Sequence, residues 1–125
     1  MQMTPHDSPV DWDQLTDLLG ESDCDSQRAV LLDMWCDMID EVRRELTVVG
    51  ELCTDAEMKL CMHRLRGVVS MWGLIVLARR MQAVEKAPSP LVEWRSECAA
   101  IIEMFVVSQR KVSERHPWLD AGGVT

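Results

Sequence analysis

The chain has no tyrosine and a single phenylalanine among its 125 residues. With so little aromatic volume, a core must be assembled from Leu, Val, Ile, nine Met and five Trp, a palette that favours helices over strands. Its five cysteines (Cys24, Cys36, Cys53, Cys61, Cys98) contain no CxxC pair, and the opening residues do not read as a secretory signal. Free thiols in a reducing cytoplasm are therefore expected. Long hydrophobic runs are also missing. The longest apolar-looking stretch, residues 67–78, contains Ser70 and two glycines and is bounded by Arg66 and Arg79. It falls short of the ~20 residues that span a bilayer, so no membrane association is expected.

Negative charge is abundant overall and absent from one place. The formal net charge of −8 disfavours general nucleic-acid binding, which draws on clustered basic residues. Residues 1–57 carry fifteen Asp and Glu against three Arg, whereas residues 58–125 carry ten Lys and Arg against six acids. Between Glu57 and Glu85 there is no acid at all, yet Lys59, Arg64, Arg66, Arg79 and Arg80 all fall there. A partner or reactant at this stretch is expected to be negative.

Proline is missing from residues 10–87. Since proline avoids helix interiors, this long interval is open to helices. A short amphipathic helix is predicted over residues 11–19, with Asp11 as N-cap and Gly20 as the stop. Residues 21–26 read as a polar turn. A second helix is predicted over residues 25–49, with Leu31, Met34, Trp35, Met38, Val42, Leu46 and Val49 as its buried stripe and Gly50 as its end. Thr54-Asp-Ala-Glu57 is a capping box, from which a third helix could run to Glu85. After the loop KAPSP, a last helix starts near Pro90, with Leu91, Trp94, Cys98, Ile101, Ile102, Phe105 and Val112 facing inward. The tail from His116 reads as irregular. The whole is one domain over residues 1–125, with a core of about 10–115. Its expected class is all-α, an antiparallel up-and-down four-helix bundle with a short additional N-terminal helix.

Wound at ~100° per residue, the third helix puts Cys61, Leu65, Val68, Trp72 and Val76 on its core side, with Met58 and Val69 close by. His63 points the other way. Lys59, Arg66, Gly67, Ser70, Leu74 and Leu77 share its face. One turn above His63, Gly67 has no side chain, leaving the imidazole open to a bulky partner, and the flanking cations could neutralise a phosphoryl group. An exposed imidazole without a general base, oxyanion hole or metal beside it suggests a residue that receives a group, the catalytic machinery being on the partner.

The string His63-Arg-Leu-Arg-Gly67-x5-Gly73 resembles the H-x-L-K/R-G-x5-G signature of histidine-containing phosphotransfer (HPt) domains, the relay modules of multistep two-component signalling. The likeness extends to the order of helices over residues 10–115. It implies that His63 is the phosphoacceptor, that Arg66 is the basic neighbour of the phosphoryl group, with Lys59 beside it, and that Gly67 is the gap admitting a partner's active site. Gly73 matches the second glycine, assigned to close helix packing. Val68 and Val69 depart from the small residues usual after the first glycine.

The resemblance implies a relay intermediate rather than an enzyme. It would take a phosphoryl group from a receiver-domain aspartate and pass it to another receiver, its partners being response-regulator receivers or a hybrid histidine kinase. Mg²⁺ would sit on the receiver, and no cofactor or metal is expected on this chain, which has no Gly-rich phosphate loop. A cytoplasmic monomer is expected. Leu74 and Leu77, with Met71 at the edge and Arg64, Ser70 and the other cations around them, are the predicted docking patch, unless the first helix or the tail covers it. Met58, Met62, Met71 and Met81 at helical spacing read as core filler before a soft-metal site. Cys61 and His63, two residues apart, point to different sides of the helix. His6 and His116 receive no role. The alternative function is a degenerate HPt-like bundle acting as a non-catalytic binding module, which exposure of Trp12 or Trp118 would favour.

Overall fold

The structure, a computed structural model, describes residues 9–20, 25–52, 54–88 and 94–120. All regular structure among them is helical. His6, most of the turn at 21–26, Pro90, Leu91 and the end of the tail lie outside the described residues.

Helix α1 (Trp12–Leu19) begins where a carboxylate can satisfy a free amide: Asp11 accepts from the Gln14 N–H at 3.2 Å. Gly20, at φ 61°, closes it by donating to the Thr16 carbonyl at 2.9 Å. Leu15 and Leu19 are buried beneath it. Helix α2 (Asp25–Leu52) buries Trp35, Met38, Val42, Leu46 and Val49, the predicted three-and-four spacing. Two details differ. Met34 lies at the edge of the stripe and stays 42% exposed. Gly50 does not end the helix, which runs on to Leu52; an interior glycine costs only about 1 kcal/mol, and the neighbouring ladder carries the chain through it.

Helix α3 (Asp55–Met71) starts on the capping box: the Thr54 hydroxyl accepts from the Glu57 N–H at 3.2 Å, and the Thr54 N–H donates back to Glu57 Oε1 at 3.3 Å. The predicted single helix to Glu85 is not formed. The chain reverses through Trp72, Gly73 and Leu74 into α4 (Ile75–Lys86), which folds back along α3 so that Glu85 meets His63 and the Ala87 carbonyl meets Lys59. Gly73 makes the reversal possible. It sits at φ 77°, a left-handed conformation that side chains resist, and a Cβ there would fall 2.8 Å from the Asp11 carbonyl oxygen. Its own carbonyl accepts from the Asp11 N–H at 2.7 Å, tying the start of α1 to the turn. The packing role predicted for Gly73 is thus between a turn and α1, not between helices in mid-course.

Helix α5 (Trp94–Arg115) buries Cys98, Ile101, Phe105 and Val112 and half-buries Trp94 and Ile102. The tail is more ordered than predicted: Pro117–Asp120 form a 3-10 turn with Leu119 buried. Helix α2 packs against α3 and α5, α4 packs against the same two, and α1 contacts α3. Trp35 and Trp72 meet edge to face in the core, centroids 5.1 Å apart at 64°. Trp12 and Trp118 are half-buried, under the guanidinium groups of Arg115 at 4.7 Å and Arg28 at 5.3 Å. No helix of the described residues is long and apolar enough to cross a membrane.

Candidate functional site

The outward face of α3 presents His63 with 59% of its side chain exposed. The reason is local. Met58, Cys61, Met62, Leu65 and Val69 occupy the buried side of the helix, and the remaining arc, which holds His63 and Gly67, faces outward. A Cβ built on Gly67 would meet no atom within 4 Å, so the space above the imidazole is open. Val68 is half-buried and Val69 fully buried, turning both away from the histidine.

The return of α4 adds a residue that the sequence reading missed. Glu85 Oε1 lies 2.6 Å from His63 Nδ1. An ionised carboxylate can only accept, so Nδ1 carries the proton, and in the neutral ring Nε2 is then the nitrogen with the lone pair. Arg66 completes the group: its Nε is 3.4 Å from Glu85 Oε2, and its Nη2 approaches Nδ1 to 3.2 Å. Because guanidinium only donates, that last approach is not a hydrogen bond while Nδ1 is protonated; the attraction runs through the shared carboxylate. Glu85 is the sole acid of α4 and closes the acid-free interval read in the sequence. That signal needed the chain reversal at Gly73 to acquire meaning.

Two depressions meet at Gly67. One, of about 510 Å³, lies between α3 and α4 and is lined by His63, Arg66, Ser70 and Arg79, with Ile75 and Ala78 as apolar floor. The other, of about 520 Å³, lies between α2 and α3, with Met34, Met38, Val68, Met71 and Trp72 as apolar surface and Asp37, Glu41 and Arg64 at its edges.

The other predicted residues are distributed differently. Leu74 and Leu77 are fully buried and form no surface patch; the helical wheel failed for them because the helix ends at Met71 and they belong to the turn and to α4. Met71 remains 45% exposed, on the α2 side. Lys59 is turned along α3, with Nζ on the Ala87 carbonyl at 2.5 Å and near Asp55 at 3.8 Å, which secures the end of α4 rather than the face of His63. Arg64 is paired with Glu45 of α2 at 2.8 Å. Ser70 lines the first depression, and its carbonyl accepts from Gln14 Nε2 of α1. Met58, Met62 and Met81 are fully buried in the core. Cys36 is held above the usual thiol range by burial and by Asp40, Asp33 and Asp37, so it is a poor nucleophile. No three His, Cys, Asp or Glu among the described residues are grouped so as to hold a metal ion.

No protein-family model, curated protein or solved structure matches the chain.

Proposed function

We propose that this protein is a phosphorelay intermediate of the HPt type, in which His63 accepts a phosphoryl group from a receiver-domain aspartate and hands it to another receiver. The observation that carries the reading is the exposed imidazole of His63, held by Glu85 with Nε2 free, beside a helix position without a side chain. In this reading α2 to α5 form an antiparallel up-and-down four-helix bundle with α1 as the additional N-terminal helix. The order of neighbours around α2, α3, α4 and α5 supports that arrangement, as do the pairings of Arg64 with Glu45, His63 with Glu85 and Arg80 with Glu97.

The chemistry follows from the tautomer. The Nε2 lone pair attacks phosphorus, the bond from phosphorus to the aspartyl oxygen breaks, and its electrons leave with the receiver's carboxylate. Nδ1 keeps its proton, so the ring gains a positive charge as the new P–N bond forms. The Glu85 carboxylate faces that charge and stabilises it. Arg66 pairs with Glu85 and brings positive charge to the phosphoryl oxygens. The receiver supplies the acidic pocket and Mg²⁺, and this chain acts without a catalytic centre or cofactor of its own. We place it in the cytoplasm, as a monomer between transfers.

For docking, the groove between α2 and α3 takes the place of the predicted Leu74 and Leu77 patch. Met34 and Met71 offer exposed apolar surface there, next to Gly67 and edged by both signs of charge. The same groove would serve a binding module without phosphotransfer. Incubation with phosphorylated receivers separates the two: an acid-labile, base-stable phosphate on the wild type that disappears in His63→Gln supports the relay, and receiver binding without any label selects the module.

A further inference from the structure

The depression between α3 and α4 contains a cation that the relay scheme leaves without a task. Arg79, one turn into α4, is exposed and forms no ion pair among the described residues, whereas Arg66 is held by Glu85, Arg64 by Glu45 and Arg80 by Glu97. No acid precedes Glu85 on α4, so nothing on its own helix neutralises it near the opening of the depression. Ile75, in the acid-free first turn of α4, lines the same depression, its own N–H donating to the Gly73 carbonyl at 2.9 Å. An unneutralised arginine thus lines the depression that holds the exposed His63. That arrangement suits a phosphoryl dianion, which arginine binds through two parallel N–H groups.

The volume extends the argument. About 510 Å³, open to solvent, lies within the ~300–1,000 Å³ range of small-ligand sites, larger than a phosphoryl group needs. Its apolar floor of Ile75 and Ala78 would receive a short carbon substituent, and Gln82 at the wall offers both a donor and an acceptor for a carbonyl group. We infer that this depression binds free acyl phosphates of small carboxylic acids, Arg79 receiving the phosphoryl group and His63 accepting it without a receiver. The inference rests on His63 as phosphoacceptor. An aspartyl phosphate and a small acyl phosphate share the same reacting group, and only the small one can enter the depression whole. The reaction balances as before: Nε2 bonds to phosphorus, the P–O bond to the acyl group breaks, the carboxylate leaves with the electron pair, and the ring retains its Nδ1 proton.

The test uses the purified full chain with acetyl phosphate in one arm and a phosphorylated receiver in the other. Acid-labile label from acetyl phosphate, absent in His63→Gln and slowed about tenfold or more in Arg79→Ala with partial recovery in Arg79→Lys, is the expected result. Far-UV circular dichroism checks that the variants fold, as an exposed arginine without an ion pair should allow. Inorganic phosphate should also shift the His63 ring resonances of the wild type and not those of Arg79→Ala. Label from the receiver but none from acetyl phosphate overturns the free-donor site while leaving the relay reading intact. Label from acetyl phosphate but none from any receiver supports the site and overturns the relay. An Arg79→Ala protein labelled at the wild-type rate removes Arg79 from the site.

Discussion

Glu85 Oε1 lies 2.6 Å from His63 Nδ1, bridging two helices whose residues are twenty-two positions apart in sequence. The contact decides which imidazole nitrogen carries the proton, and it places a negative charge where phosphorylation would create a positive one. In the proposed transfer Glu85 is a positioning residue: it acts through the histidine.

Replacing Glu85 should slow transfer without abolishing it. Glu85→Ala is expected to lower the rate of phosphoryl uptake about tenfold, the loss of one charged hydrogen bond, with Glu85→Gln between the two. Nitrogen NMR of the ring should show mostly the Nδ1–H form in the wild type and a mixture of tautomers in Glu85→Ala. Unchanged tautomers together with an unchanged rate would remove Glu85 from the mechanism.

Gly67 predicts opposite effects on stability and function. It sits inside α3 with open space where a Cβ would be, so Gly67→Ala should stabilise the fold by about 0.5–1 kcal/mol through reduced backbone entropy of the unfolded chain. Gly67→Leu should fold equally well but slow transfer from a receiver, because its side chain enters the space beside His63. Denaturant titration and a transfer assay measure the two effects separately. A destabilised Gly67→Ala would contradict the open-space argument.

At Gly73 the same substitution should do harm. With φ at 77° and the Asp11 oxygen 2.8 Å from the position of a Cβ, Gly73→Ala is expected to cost ~1–3 kcal/mol. Faster amide exchange at Asp11, whose N–H donates to the Gly73 carbonyl, would locate the damage at the junction of α1. A variant as stable as the wild type would refute the strain argument.

His116 should make the fold sensitive to mild acid. Burial, followed by the charge of Arg115, lowers its pKa below the ordinary 6.5, and its Nε2 is buried without a hydrogen-bond partner. Below pH 6.5 the unfolded chain therefore binds the proton more readily than the folded one. Stability attributable to this group is complete above that pH and declines as pH falls toward the lowered folded value. His116→Asn should flatten this part of the stability curve, as read from unfolding midpoints between pH 7.5 and 5. An identical slope in the variant would assign the acid sensitivity to other groups.

Much of the local structure was legible because it depends on neighbours in sequence. The Asp11 and Thr54 caps, the capping box with Glu57 and the buried stripes of α2 and α5 all arise from residues three or four positions apart, the spacing that one helical turn brings together. The outward direction of His63 and the empty position at Gly67 follow from the same periodicity. Residues 58–84 also kept a regular apolar pattern across the point where the chain turns, so periodicity alone joined α3 and α4 into one helix. Only the tertiary structure decided that Gly73 is a reversal, because its left-handed conformation depends on the approach of Asp11, sixty-two residues earlier. That single turn moved Leu74 and Leu77 into the core, drew Lys59 to Ala87, and delivered Glu85 and Arg79 to the histidine's side of α3. The sequence by itself determined that His63 faces outward beside a helix position without a side chain. What stands around that residue was decided by packing between helices, through distances that no local spacing encodes.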